Sequence, residues 1–320
     1  MSMHLTCTET IRESDDSLSA WFACSTPVVA KGGQYITLSV SIQGRVQTRS
    51  YSLSGFVLLA ASSALRITVK RVDKGLVSNW LVDNCREGMQ FETSKPMGSF
   101  TLDDDAISHT FIAAGSGISP IAAMLREACK DRPGSRCNLL YIFRDRASAP
   151  LLTELESLSS CYPKLNITTW ETHSLGRPDS TQILDVISEW QADSHYVCGP
   201  ESLIDTVSQL DLECLRMERF NIPVASLENV TMGNAKVTFS KSNISIEVNE
   251  AETILDLAEA NGIDINSSCR AGDCHECKLR HNNPDAIAWL DRDDALTEEE
   301  KQEFLLACCT SIVGEVSIDC

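Results

Sequence analysis

SSCRAGDCHECK, Ser267 to Lys278, crowds three thiols, Cys269, Cys274 and Cys277, into nine residues with the spacing C-x4-C-x2-C. With a distant fourth cysteine, this is a ligand spacing of [2Fe–2S] clusters. A two-iron core needs four thiolates converging from several sides, and a tight loop supplies three. Ala271 and Gly272 let the backbone come close and aim N–H groups at the sulfides. The fourth thiolate is Cys308 or Cys309, in LLACCTSIVGEVSID. Zinc is the competing reading, but zinc sites usually show two short pairs, and here the first group is a triplet with a four-residue gap. His275, between the ligands, reads as a solvent-facing residue over the loop.

A chain of 320 residues is too long for one core, so two or three domains are expected. Its formal charge of −18 argues against nucleic acid, whose phosphates need Lys and Arg. No basic start followed by an apolar run opens the sequence, and no apolar stretch is long enough to cross a bilayer. The expectation is a cytoplasmic protein without membrane insertion, in which most of the fourteen cysteines stay reduced. Cys7, Cys24, Cys85, Cys129, Cys137, Cys161 and Cys214 then read as small core or half-buried residues.

Three textures divide the chain. Residues 1–104 alternate and are rich in β-branched residues (QYITLSVSI, VQTRSYSLS, LRITVKRV), which suggests an antiparallel β-barrel. Residues 105–222 alternate strands (HTFIAAG, CNLLYIFR, LNITTWET, SHYVCGP) with helical stretches, the pattern of a Rossmann-like parallel sheet. Residues 223–235 read as a linker. From 236 to 320 the chain starts again with KVTFSKSNISIEV, two strand runs, and then a helix, ETILDLAEANG, closed by Gly262.

Residues 236–320 resemble a plant-type ferredoxin domain through SCRAGDCHEC, the acidic LTEEEKQEF and LLACCT. The resemblance implies a β-grasp fold and puts the fourth ligand at Cys308. If the chain is extended there, neighbouring side chains point to opposite sides, so Cys309 faces away from the iron.

RSYSLSG, Arg49 to Gly55, resembles the flavin motif of the ferredoxin–NADP reductase superfamily. This implies Arg49 on a flavin phosphate, Ser50 and Tyr51 against the flavin, and Ser52 near the ring nitrogen that receives hydride. In ITVKRVDKGLVSNWL, a strand from Ile67 to Val72 with Val69 and Lys70 would line the ring, and a turn from Gly75 to Ser78 would give amides to a phosphate. FAD is expected over FMN on this turn. In AAGSGISPIAAML, Gly115 and Gly117 lie between an apolar strand and a helix, with Pro120 in its first turn, which suits a pyrophosphate. Cys198, Gly199 and Pro200 match the superfamily's Cys-Gly-Pro beside the nicotinamide, with Cys198 shaping hydride transfer rather than acting as a nucleophile. Arg144 would serve an adenosine ribose. Asp145 between Arg144 and Arg146 would repel a 2′-phosphate, so NADH is expected over NADPH.

The order of the three motifs resembles the phthalate dioxygenase reductase-like family and the reductases of hybrid-cluster protein. It implies a flavoprotein that oxidises NAD(P)H and passes single electrons through [2Fe–2S] to a separate acceptor protein, a terminal oxygenase. The alternatives are a reductase of another iron protein, a stand-alone diaphorase or oxidase, and a redox sensor.

Overall fold

Alternating apolar and β-branched residues build six strands and one helix in the first third: β1 (Met3–Ser14), β2 (Ser17–Cys24), β3 (Tyr35–Ile42), β4 (Arg45–Leu59), β5 (Ser62–Lys70), α1 (Leu76–Asn84) and β6 (Gln90–Thr93). The strands close into an antiparallel barrel in the order β1-β2-β5-β4-β3-β6. Leu5, Phe22, Ile36, Leu38, Leu53 and Leu65 fill it. The computed structural model describes residues 3–59, 62–73, 75–132, 134–220, 235–249, 252–267, 270, 272, 275–290 and 295–320.

β4 is long because its halves serve different partners, β3 up to Ser52 and β5 from Leu53 onward. A bulge between Leu53 and Gly55 leaves Ser54 outside the ladder. Its carbonyl then accepts from two arginines, Arg66 Nη2 at 2.9 Å and Arg126 Nη1 at 2.6 Å.

The next stretch alternates strand and helix: β7 (Ser108–Ala114), α2 (Ile118–Asp131), β8 (Arg136–Phe143), α3 (Leu152–Cys161), β9 (Leu165–Glu171), α4 (Thr172–Leu175), α5 (Ser180–Ile187), β10 (Ser194–Cys198), α6 (Glu201–Ser208) and β11 (Leu215–Glu218). The parallel sheet has the order β11-β10-β7-β8-β9. Its central strand β7 is buried along its whole length, the polar Ser108, His109 and Thr110 as well as the apolar Phe111 to Ala114.

Barrel and parallel sheet form one unit, Met1–Arg219. The barrel meets α2 closely. A Cβ at Gly32 would lie 2.6 Å from the Cα and the nitrogen of Met124 in α2. The buried Arg66 donates to Glu154 Oε2 at 2.7 Å, and Arg126 Nε reaches Oε1 of the same carboxylate at 3.0 Å. Burial and the neighbouring Arg66 push the Arg126 guanidinium down to about 10. Burial alone would raise Glu154, but Arg126 and Arg66 outweigh it and leave it below the usual carboxyl range.

The second unit, Phe220–Cys320, has its own core. Its elements are β12 (Ala235–Phe239), β13 (Ile244–Val248), α7 (Ile254–Ala260), β14 (Lys278–Arg280), β15 (Ile287–Trp289), α8 (Glu298–Lys301), β16 (Phe304–Leu306), β17 (Thr310–Ile312) and β18 (Glu315–Ile318). β12 pairs antiparallel with β13 and parallel with β18, while β14–β16 and β15–β17 form two short ladders. Thr253 caps α7, and Gly262 follows it at φ +74°. This is the β-grasp arrangement expected of the ferredoxin segment.

Two sequence expectations change. Cys161 and Cys214 are exposed rather than core residues, one at the end of α3 and one in the turn before β11. Gly75 to Ser78, expected as a turn, is the start of a helix: Gly75 caps α1, and Ser78 lies in its first turn.

Because Glu154 titrates lower in the folded chain, its contribution is complete above the ordinary glutamate value of about 4.3 and is lost as pH falls below it. Glu154→Gln is expected to cost about 1–2 kcal/mol at pH 7, discounted because the carboxylate is half exposed. Urea unfolding should show the difference from wild type shrinking between pH 5 and pH 3. A constant difference would remove the ion pairs as its cause.

Candidate active site and cluster-binding site

In the parallel sheet, β8 and β9 lie to one side of β7 while β10 and β11 lie to the other. Ligands of such sheets sit outside the carboxyl ends of the strands at this switch point. Gly115 to Gly117 leave the end of β7 as one 3-10 turn, and Gly199 and Pro200 leave the end of β10. The two turns nearly touch. A Cβ on Gly117 would lie 2.1 Å from the Cys198 carbonyl oxygen and 2.7 Å from the Gly199 nitrogen, so only glycine fits. Gly117 caps α2 without any side-chain cap bond, and Pro120 is the third helical residue. This is an amide-rich helix start that favours an anion.

On the barrel, Arg49 to Ser52 lie on β4 opposite β3, with Leu38, Thr37, Ile36 and Tyr35 as their partners in register. Arg49 Nη1 donates to the Thr48 carbonyl at 2.7 Å, and the Ser50 and Thr37 hydroxyls lie 3.1 Å apart. Burial pushes the Tyr51 phenol well up, so it stays protonated. Val69 packs into the barrel core, and Lys70 Nζ pairs with Asp16 at 3.3 Å. Gly75 is crowded by Ser78, whose Oγ would lie 2.7 Å from an added Cβ.

Barrel and sheet motifs meet at a residue that sequence reading did not single out. The Ser52 hydroxyl donates to Glu218 Oε2 at 3.2 Å, and the Cys198 thiol donates to the same oxygen at 3.7 Å. Glu218 ends β11, paired in register with Cys198. Burial first, then the Glu218 charge, raises the Cys198 thiol far above its ordinary value. Cys198 is therefore no thiolate nucleophile. At the far end of β8, the Arg144 side chain is mostly exposed and lies 3.9 Å from Asp145, while Arg146 is held by Glu156 at 2.6 Å.

In the second unit, Cys277 and Cys308 are both buried, with sulfurs 3.3 Å apart. Cys269 and Cys274 lie outside the described residues. Arg270 of the same loop pairs with Asp256 and Glu259 of α7. His275 is exposed. Lys278, beside Cys277, binds Glu300 of α8 at 2.8 Å, which ties the ligand loop to the segment before Cys308. The chain at Cys308 and Cys309 is not extended. It is a turn between β16 and β17, closed by the Cys309 N–H donating to the Leu306 carbonyl at 2.9 Å. The premise that the two side chains must diverge therefore fails: both are buried, and their sulfurs lie 3.5 Å apart.

Three family models match in chain order: an oxidoreductase FAD-binding domain over residues 5–102, an oxidoreductase NAD-binding domain over 111–209 and a 2Fe-2S iron-sulfur cluster binding domain over 237–313. The chain is an NAD(P)H-dependent oxidoreductase using FAD and a [2Fe–2S] cluster. Its three domains belong to the families of these models, an FAD-binding, an NAD-binding and a 2Fe-2S domain in that order. It is 29% identical to the ferredoxin reductase component of 3-ketosteroid-9-alpha-monooxygenase of Rhodococcus rhodochrous, over 86% of this chain and 85% of that one. It is 26% identical to a glycine betaine monooxygenase reductase subunit of Pseudomonas aeruginosa, over 98% and 94%. An NADPH oxidoreductase of Mycobacterium tuberculosis is 28% identical over 77% of this chain, and the match spans 66% of that protein's length. The solved phthalate dioxygenase reductase shares the fold with a TM-score of 0.70 at 23% identity, covering 100% of this chain and 98% of its own. Among the described residues, no helix is long and apolar enough to cross a membrane.

The groups present fit these cofactors. The paired buried thiols suit iron, and the side-chain-free approach of Gly117 to Cys198 makes room for a dinucleotide. Gly117→Ala is expected to lower NADH-driven flavin reduction at least tenfold while flavin content and reduction by dithionite persist, as stopped-flow absorbance would show. Unchanged kinetics would mean that the turn does not hold the coenzyme.

Proposed function

We propose that the chain takes hydride from NADH at the meeting point of Ser52, Cys198 and Glu218 and delivers single electrons to a separate acceptor protein, the terminal oxygenase of a monooxygenase or dioxygenase system. The convergence of those three residues supports this reading most. It brings the flavin motif of the barrel and the nicotinamide motif of the sheet onto one carboxylate oxygen. Bound FAD supplies two-electron acceptance from a nicotinamide, and a [2Fe–2S] cluster supplies one-electron transfer.

The protein's own part is positioning. Ser52 has one O–H, and Glu218 takes it, so the serine oxygen is left as an acceptor toward a ligand. The buried Cys198 thiol donates to Glu218 and offers a neutral wall to the ring. Arg49 and the start of α1 at Gly75 and Ser78 would hold flavin phosphates, Ser50 and Tyr51 the flavin itself, and Val69 and Lys70 contribute backbone beside it. Gly115, Gly117, Pro120, Gly199 and Pro200 would shape the coenzyme site, with Arg144 on the adenosine ribose. Cys269, Cys274, Cys277 and Cys308 would hold the cluster.

The oxygenase reading rests on the relatives, which are reductase components of monooxygenases. Charge is consistent with a protein partner: residues 236–320 hold 18 Asp and Glu against 7 Lys and Arg. Several of these acids, including Glu300 and Glu303, are already paired within the unit, and Asp291, Asp293 and Asp294 lie outside the described residues. A basic docking site would be steered by the remainder.

The testing experiment is NADH-driven electron delivery to a purified oxygenase component from the same source. Cys308→Ser should abolish delivery while flavin reduction persists, and wild-type delivery should weaken as salt rises toward physiological strength. Delivery that survives loss of the cluster would favour a stand-alone diaphorase. Ser52→Ala and Glu218→Gln should each slow flavin reduction by up to about 100-fold, the scale of a misplaced reactant, and leave the cluster spectrum intact. Arg146 and Arg144 face their own acids, so kcat/KM should favour NADH; a tenfold NADPH advantage would reverse the coenzyme assignment.

A further inference from the structure

Cys309 is a second buried thiol at the Cys308 position, and nothing in the reductase reading uses it. Its side chain is fully buried, so water cannot satisfy its S–H. Among the described residues, its sulfur has one hydrogen-bonding partner, the Cys308 sulfur at 3.5 Å. A metal-bound Cys308 is a thiolate and can only accept. The proton between the two sulfurs then belongs to Cys309. The turn closed by the Leu306 carbonyl and the Cys309 amide fixes this geometry, and the Thr310 hydroxyl, which donates to the same carbonyl at 2.8 Å, braces it.

We propose that Cys309 is a positioning residue that donates an S–H···S hydrogen bond to the ligand sulfur of Cys308 and thereby raises the reduction potential of the cluster. The proposal rests on the cluster assignment above. The reduced cluster carries one more negative charge, so a donor at a ligand sulfur stabilises it more than the oxidised form. Cys309 is neither oxidised nor reduced in this role.

The test uses the holoprotein with Cys309→Ala, Cys309→Val and Cys309→Ser. Iron and sulfide content should match wild type in all three. Poised at the wild-type midpoint, the Ala and Val variants should show the reduced-to-oxidised ratio lowered at least threefold, about 30 mV on the one-electron scale. Cys309→Ser keeps a donor and should stay near wild type. Resonance Raman iron–thiolate bands should shift in D2O for wild type and not for Ala or Val. An unchanged ratio with unchanged deuterium shifts would overturn the hydrogen bond. Loss of the cluster in Ala and Val would overturn it too, and make Cys309 a ligand. Wild-type protein without a [2Fe–2S] spectrum would instead reject the functional reading beneath it.

Discussion

The carbonyl of Ser54 holds the first unit together at its functional point. The bulge takes this carbonyl out of the β4–β5 ladder, and two guanidinium groups take it up, Arg66 from the barrel and Arg126 from α2. A lone buried guanidinium would be costly. Here Glu154 from α3 bridges both arginines, and Arg66 also lies 5.1 Å over the Trp21 ring. The bulge is two residues beyond Ser52. The ion pairs that join barrel to sheet therefore also fix the strand that carries the Ser52 hydroxyl to Glu218.

Hydride transfer between two bound cofactors needs little acid–base chemistry, and the site is built accordingly. Its closest approach is between two backbones, Gly117 and Cys198, where no side chain fits. Two of its ionisable members are held protonated by burial, Cys198 as a thiol and Tyr51 as a phenol. What the protein supplies is distance and orientation.

Much of this was legible in the sequence because the signals are local. The barrel strands alternate, β7 ends in the apolar run Phe111 to Ala114, and the glycine motif at Gly115 to Gly117 fixes its own backbone. What escaped is non-local. Glu218 closes a four-residue strand, LRME, whose polar mix looks like a solvated edge, and only its pairing with β10 aims it at Cys198. Arg66 sits in LRITVKRV as an apparent outward residue, yet it is almost fully buried because α2 and α3 cover it. The divergence expected of Cys308 and Cys309 assumed a strand, and the hydrogen bond from the Cys309 amide to Leu306 makes a turn instead.

A chain with fourteen cysteines must keep iron chemistry to four of them. The thiolate is the ligand, so any group held as a thiol is a poor competitor. Burial raises Cys7, pushes Cys24 up to about 11 and Cys85 to about 12, and drives Cys198 far higher. Cys137 is also raised, first by its hydrogen bond to Cys129 and then by burial, and the same bond lowers Cys129. That bond leaves Cys129 the more acidic member of its pair, but its neighbour keeps its proton, so the pair does not offer two thiolates to a metal. The proposed ligands differ in setting: Cys277 and Cys308 face each other across 3.3 Å in the second core, away from the Cys129–Cys137 pair. Burial thus holds several cysteines outside the proposed cluster site as thiols, while the spacing from Cys269 to Cys277 marks the site itself.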